Sequence, residues 1–202
     1  FSLYLCEAAT GKVLKRLTDV NADVEMVGQD DKFVYYTSAE VSPVDNHLFR
    51  VEVKSGKKTR LTQAEGWHKV TMSGDMKYFV DNYSSLKVPR VILLVQNDGK
   101  KVKELLKAED PTKDYNFGEI TLGTVKSADG KFNNYYRLIK PMNFDASRKY
   151  PVHIDIKPGD ASRNGIHAQR IHGRINIHDP LYPFLLFPQN PVQLVADVLS
   201  PA

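Results

Sequence analysis

An internal repeat of about 45 residues constrains the fold of this chain most strongly. "LYLCEAATGKVLKRLT" begins at Leu3, and "LFRVEVKSGKKTRLT" begins at Leu48, which is 45 positions later. The offset falls to 44 at the shared RLT triplets, residues 16–18 and 60–62, because one residue is deleted between them. A third copy opens at Val91 with "VILLVQNDGKKVKELL". A period of this length is typical of arrays of small repeated sheets.

Each copy contains four strand-like stretches separated by two turns and a loop. Valine, tyrosine, phenylalanine and threonine dominate stretches such as "DVEMVGQDDKFVYYTSAE", and Thr-Gly, Ser-Gly and Asp-Gly mark the tight turns. A four-stranded antiparallel unit that repeats roughly every 40–50 residues is typical of β-propeller blades. We therefore predict two four-stranded blades, over residues 3–45 and 47–90, and a partial third over 91–107. A plain β-sandwich is the alternative.

The stretch "KKVKELLKAED" has the composition of a helix. The repeat aligns its residues 103–106 with residues 59–62, where a strand belongs. Propensity is the weaker of the two arguments, so we predict a strand here. Asp110 and Pro111 should end the repeat region, because the residue before a proline disfavours continued regular structure.

Composition bounds the class of protein. The chain has 202 residues, of which 42% are hydrophobic and 26% charged, as in globular proteins of one large or two small domains. Its net charge of +4 comes from interspersed basic and acidic residues, which argues against a nucleic-acid partner. The single cysteine, Cys6, excludes an internal disulfide framework, and no apolar run is long enough to cross a bilayer.

The last 50 residues differ in composition from the rest. Seven of the 11 prolines and four of the six histidines follow Tyr150, whereas Lys157 is the only lysine beyond that point. Two blades and part of a third leave unpaired edges and half-covered apolar faces. The expectation is therefore an open propeller fragment of a larger protein. The alternative is a freestanding propeller that acts as a protein-interaction module.

Two stretches carry a resemblance to a known family. "RLTQAEGWHKVTMSGDMKYFVDNYSSLKVPRVILL" and "YYRLIKPMNFDASRKYPV" resemble the last propeller blade and the start of the hydrolase domain of dipeptidyl peptidase IV-type enzymes, especially bacterial ones of the Bacteroides kind. These enzymes belong to the prolyl oligopeptidase family of serine peptidases. The resemblance covers residues 1–152. It implies C-terminal propeller blades at 1–110, a crossover with the first strands of an α/β-hydrolase domain at 111–156, and a tail of unclear origin at 157–202.

The resemblance also implies an activity for the parent protein. Members of the family release N-terminal dipeptides, with proline or alanine at the second position, and need no cofactor. The propeller restricts substrate size, and the hydrolase supplies a Ser-Asp-His triad. A peptide substrate, the remainder of the propeller and hydrolase, and a second copy in a homodimer are the implied partners, with no nucleic acid and no membrane. The family favours a periplasmic or cell-envelope location.

The sequence predicts that this chain carries no catalytic residue of its own. The nucleophile of such hydrolases needs the motif Gly-x-Ser-x-Gly, and no serine here has glycines at that spacing. Lys157 stands where the family has the tyrosine that helps to hold the oxyanion, so that role is not transferred. The paired glutamates that bind the substrate amine have no equivalent here. We interpret three serines as turn or loop residues: Ser73, Ser127 and Ser162.

Other polar and aromatic residues receive structural interpretations. No pair among the four late histidines has metal-ligand spacing, so no metal site is predicted at His153, His167, His172 or His178. Trp67 is expected to pack in a blade. One residue of each pair Tyr35/Tyr36 and Tyr135/Tyr136 should face inward and the other outward. The runs 121–126 and 133–139 should form a hairpin through residues 127–130. Three acids are expected to solvate the crossover: Asp110, Asp114 and Glu119.

Overall fold

The computed structural model describes residues 1–126, 130–131, 133–158 and 192–198. All regular structure in these ranges is β-strand, which confirms the predicted fold class of a mainly β protein. The chain divides into two compact units, Phe1–Pro111 and a second that begins at Thr112. The strands are β1 (Tyr4–Cys6), β2 (Val13–Arg16), β3 (Val24–Gln29), β4 (Phe33–Ser38), β5 (His47–Glu52), β6 (Lys58–Arg60), β7 (Trp67–Met72), β8 (Tyr78–Ser84), β9 (Val91–Gln96), β10 (Lys101–Lys107), β11 (Ile120–Lys126), β12 (Asn133–Ile139), β13 (Val152–Pro158) and β14 (Val192–Val198).

Within the ranges that the structure describes, no helix is both long and apolar enough to cross a membrane.

The first unit consists of three antiparallel sheets. The first sheet pairs β1 with β2, the second has the order β3-β4-β5-β6, and the third has the order β10-β9-β8-β7. In each sheet the neighbours in space are neighbours in sequence, as expected of hairpin-connected blades. The prediction of two four-stranded sheets and one partial sheet is therefore confirmed in number.

The predicted limits of the sheets are wrong by half a repeat. The prediction placed the sheets at 3–45 and 47–90, whereas the four-stranded sheets run from Val24 to Arg60 and from Trp67 to Lys107. The partial sheet consequently lies at the beginning of the unit and not at its end. The reason is that a repeat gives a period but no starting point. β4 pairs with β5 along its whole length across the loop 39–46, whereas β2 and β3 belong to different sheets.

The segment that resembled a helix is a strand, as predicted. β10 pairs with β9 from Lys101 opposite Val95 to Lys107 opposite Val91. It forms one edge of its sheet, and all seven of its residues are exposed. The backbone pairing with β9 therefore decides its structure, and the intrinsic helix propensity does not.

Both faces of β4 are buried, which corrects one expectation. Tyr35 and Tyr36 point to opposite faces, as alternation requires, yet both are fully buried. Tyr36 packs with Phe49 and with Leu17 near the first sheet. Tyr35 packs in a separate cluster with Phe79 of the third sheet. The outward tyrosine is buried because this sheet has a neighbour on each side, so both faces of the strand contribute to a core.

The second unit contains one sheet in the order β11-β12-β14-β13. β11 and β12 pair antiparallel from Ile120 opposite Ile139 to Lys126 opposite Asn133, which confirms the predicted hairpin. Turn residues 127–129 lie outside the described residues. Gly123 lies opposite Tyr136, and a Cβ on that glycine would overlap the tyrosine ring. β13 and β14 pair in parallel, a connection that the meander sheets of the first unit do not contain.

The predicted origin of each segment stays a prediction. This applies to the hydrolase assignment of residues 111–156 and to the separate tail at 157–202. Most of that tail lies outside the described residues, which include 157–158 and 192–198 of it.

Candidate functional site

A cluster of buried polar side chains lies between the second and third sheets. We call it the histidine cluster and define it as His47 at the start of β5, Thr62 after β6, His68 on β7, and Asp81 and Tyr83 on β8. His47, His68 and Asp81 are 2%, 1% and 3% exposed, respectively. Buried groups of this kind are the first place to look for chemistry, because function often perturbs them.

His68 has a hydrogen-bond acceptor at each ring nitrogen. Its Nδ1 lies 2.9 Å from both carboxylate oxygens of Asp81, and its Nε2 lies 2.8 Å from the carbonyl oxygen of Ala64. When Asp81 is ionised, both of these partners can only accept, so both nitrogens must donate and the ring is then an imidazolium. His68 and Asp81 therefore form a buried ion pair. The ring of Tyr83 stacks on the imidazolium at a centroid distance of 4.8 Å.

His47 lies beside this ion pair, in surroundings that favour a neutral imidazole. Its ring centroid is 5.2 Å from that of His68. Burial, followed by the charge of His68, lowers the pKa of His47 below its ordinary value of 6.5. Its Nδ1 lies 3.2 Å from the hydroxyl oxygen of Thr62, which also accepts the backbone N–H of Leu48 at 3.0 Å. A neutral imidazole fits this position, because its Nδ1 can accept a hydrogen bond from the threonine hydroxyl.

The geometry suits a structural role better than a catalytic one. A general base needs a nitrogen with a free lone pair, and both nitrogens of His68 donate. The Asp81 carboxylate is already occupied by the imidazolium. The cluster instead joins three strands and one loop. His68 ties β7 to β8 through Asp81 and to the loop between β6 and β7 through Ala64, while His47 joins β5 to the same loop through Thr62. We therefore interpret it as a lock between two blades.

Sequence reasoning singled out Trp67, whereas the buried polar residue of the cluster is its neighbour His68. Trp67 was expected to pack in a blade, but its side chain is 56% exposed at the start of β7. Adjacent strand residues point to opposite faces, so burying His68 turns Trp67 outward. The signal was present in "WHKVTM": His68, Val70 and Met72 alternate with Lys69 and Thr71, which places the tryptophan on the polar side. The same signal identifies His68 as an inward residue.

The other singled-out residues are dispersed. Ser73 lies in the turn between β7 and β8, where its hydroxyl contacts Asp75 at 2.7 Å and the Tyr78 backbone. Glu119 pairs with Lys140 at 2.7 Å. Asp110, Asp114, His153 and Cys6 are exposed, and Lys157 lies on β13. Five of these residues lie outside the described ranges: Ser127, Ser162, His167, His172 and His178.

A metal site was not predicted. Within the part of the chain that the structure describes, no three His, Cys, Asp or Glu side chains lie close enough together to hold a metal ion.

Comparison with known proteins relates the first unit to a family of peptidases. Residues 2–90 match the family model of the dipeptidyl peptidase IV N-terminal region. Curated relatives include the probable dipeptidyl-aminopeptidase B of Podospora anserina, 26% identical over 145 residues, and that of Chaetomium globosum, 28% identical over 144 residues. Each alignment covers 68% of this chain and 15% of the relative, so this chain spans a small part of those proteins.

Solved structures show the same relationship over a larger share of the chain. Dipeptidyl peptidase 4 of Porphyromonas gingivalis superposes with a TM-score of 0.71 at 26% identity, covering 96% of this chain and 27% of that one. A putative dipeptidyl aminopeptidase IV of Bacteroides ovatus gives a TM-score of 0.65 at 29% identity, covering 98% and 28%. The resemblance read from the sequence is thus confirmed, since residues 2–90 match the family model of the dipeptidyl peptidase IV N-terminal region and the superposed structures are of dipeptidyl peptidases.

Proposed function

We propose that this chain is a segment of a serine-type dipeptidyl peptidase, an exopeptidase that releases N-terminal dipeptides with proline or alanine at the second position. The observation that carries the proposal is the family match over residues 2–90. It is supported by solved peptidase structures that superpose on 96% and 98% of this chain, a share that includes both compact units. A freestanding interaction module would have no reason to share the second unit with a peptidase.

The segment contributes scaffold and not chemistry. Two complete meander sheets and part of another supply blades of the propeller, which in the whole enzyme restricts access to the reacting groups. The 202 residues contain no Gly-x-Ser-x-Gly, and only a sharp strand-to-helix turn of that kind exposes a nucleophilic serine in this type of hydrolase. The nucleophile is therefore supplied by another part of the enzyme.

An activity assay tests the non-catalytic part of the proposal. The purified chain, incubated with a Gly-Pro or Ala-Pro chromogenic dipeptide, should release no chromophore above the buffer rate, because it has neither a nucleophile nor an oxyanion site. An active dipeptidyl peptidase 4 assayed in parallel is the positive control, which shows that the substrate is cleaved under these conditions. Turnover that persists through repurification and is blocked by a serine-reactive phosphonate would contradict this reading.

The parent enzyme provides the second test. The full open reading frame around this sequence should encode a Gly-x-Ser-x-Gly motif downstream of Val152, and its product should cleave the same substrate. Replacing the serine of that motif with alanine should abolish the activity. A reading frame without such a motif would favour the interaction module instead.

A further inference from the structure

Three polar side chains follow one another at alternate positions along and just beyond β4. Tyr36 and Ser38 share one face of the strand, and Glu40 comes two residues later. Tyr36 is 0% and Ser38 is 1% exposed, and the Glu40 side chain is 8% exposed. We call these three residues the polar row. It lies on the face of the second sheet that packs against Leu3 and Leu17.

Each member of the polar row has a buried oxygen without a protein partner. The Tyr36 hydroxyl, the Ser38 hydroxyl and Glu40 Oε2 make no hydrogen bond to any residue that the structure describes. The other carboxylate oxygen, Glu40 Oε1, is 2.7 Å from Lys58 Nζ. The pKa of Tyr36 is raised, mainly by burial and in addition by the negative charge of Glu40.

These three atoms belong to residues at alternate positions of one short stretch, which argues against chance. One further buried side-chain atom in the described ranges lacks a partner, Arg50 Nε. Arg50 lies opposite Tyr35 in the register of β4 and β5, hence on the other face of the sheet. Natural proteins leave few buried polar groups unpaired, since each costs as much as a lost hydrogen bond. Three on one short stretch therefore indicate a hydrogen-bonding partner that the protein itself does not supply.

The chemistry of the row selects that ligand. Two hydroxyls can both donate and accept, and the carboxylate oxygen can only accept. A divalent cation is disfavoured because the single carboxylate is already neutralised by Lys58. Water fits, because one molecule can accept from a hydroxyl and donate to Glu40 Oε2, and buried water needs two to four such polar partners.

We propose that Tyr36, Ser38 and Glu40 form a binding site for buried water between the first and second sheets of the first unit. The water bridges Glu40 Oε2 to at least one hydroxyl of the row. It contributes hydrogen bonds that the neighbouring apolar side chains of Phe49 and Val51 cannot supply. The site is independent of the proposed peptidase function.

Conservative substitutions test the proposal in the full chain. In a hydrated site, Tyr36→Phe removes a made hydrogen bond and should lower the melting temperature by roughly 2–5 °C. Ser38→Ala should act in the same direction. Tyr78→Phe is the matched control, because that tyrosine is 39% exposed in a neighbouring sheet, and its melting temperature should stay within about 1 °C of the wild type.

The opposite result would overturn the proposal. In a dry site, Tyr36→Phe removes an unpaired hydroxyl, so the melting temperature would be unchanged or higher. A crystal structure of the chain gives a direct readout: a water peak within hydrogen-bond distance of Glu40 Oε2 and of a row hydroxyl supports the site. Density showing a protein side chain or an empty space at that position would rule it out.

Discussion

At the scale of single residues, two neighbouring histidines in the same buried region have surroundings that favour different protonation states. Acceptors face both ring nitrogens of His68, which suits an imidazolium paired with ionised Asp81, whereas burial, followed by the charge of His68, lowers the pKa of His47. The charged groups that face His47 are His68, Arg60, Asp45 and Asp81. The free energy of unfolding should therefore depend on the protonation state of these two rings, and so on pH.

The first prediction concerns pH. The pKa of His47 is lowered on folding, so below its ordinary value of 6.5 the unfolded chain binds more protons than the folded chain. The free energy of unfolding should fall as the pH is lowered through and below 6.5, and this contribution is absent above it. Urea titrations at pH 7.5 and 5.5 measure it. The loss should be smaller in His47→Gln, and unchanged in the control His153→Gln, which alters an exposed histidine. Equal losses in all three proteins would show that His47 does not contribute.

The second prediction concerns the ion pair. Asp81→Asn leaves the buried imidazolium without a counter-charge and should cost about 3–5 kcal/mol of unfolding free energy. Asp75→Asn, in an exposed turn, is the control and should cost no more than about 1 kcal/mol. The single tryptophan, Trp67, adjoins His68 and reports unfolding by fluorescence. Similar costs for the two variants would argue that His68 is neutral in the folded protein.

At the scale of strands and turns, local signals were sufficient for some features and not for others. The strand-turn-strand content of each repeat was predictable, because turn glycines and alternating apolar residues act over a few positions. The assignment of β10 as a strand followed from the repeat. The phase of the sheets was not predictable, since pairing β4 with β5 across the loop 39–46 depends on contacts between distant residues. The histidine cluster was missed for the same reason, because its members come from three strands and the loop between β6 and β7.

The third prediction concerns the turn into β7. Gly66 has a φ of +130°, its N–H donates to Asp45 Oδ1 at 2.9 Å, and a Cβ there would overlap the Ser84 carbonyl oxygen. Gly66→Ala should therefore lower the free energy of unfolding by about 3 kcal/mol or more, through backbone strain and displacement of β8. Gly74→Ala is the control, because nothing lies within 4 Å of its added Cβ. If the two variants are equally stable by urea titration, the close approach of Gly66 to Ser84 is wrong.

At the scale of the whole molecule, the chain spans a small part of relatives that are several times longer. It covers 27% and 28% of the two solved peptidases. The resemblance to dipeptidyl peptidases could be inferred from ordered combinations of short motifs. The proposal that this chain carries no catalytic residue rests on one motif that the sequence lacks. Neither inference required knowledge of which strands pair.

The last prediction rests on the proposed function and uses the whole enzyme. If the histidine cluster is only a lock between blades, Asp81→Asn in the full peptidase should lower its melting temperature by several degrees. The kcat per active site, titrated with a serine-reactive phosphonate at low temperature, should stay within about twofold of the wild type, since a purely structural cluster does not act on the substrate. A large fall in kcat without a change in melting temperature would place the cluster in the catalytic machinery.

The burial of β4 on both faces has a consequence for how such proteins diverge. A strand with two cores must satisfy two sets of neighbours at once, so nearly every position of β4 is constrained by volume and shape. β10, exposed along its whole length, needs only to keep its backbone pairing. Substitutions should accumulate quickly in strands like β10 and slowly in strands like β4. The rate of evolution would then vary across each blade with the period of the repeat itself.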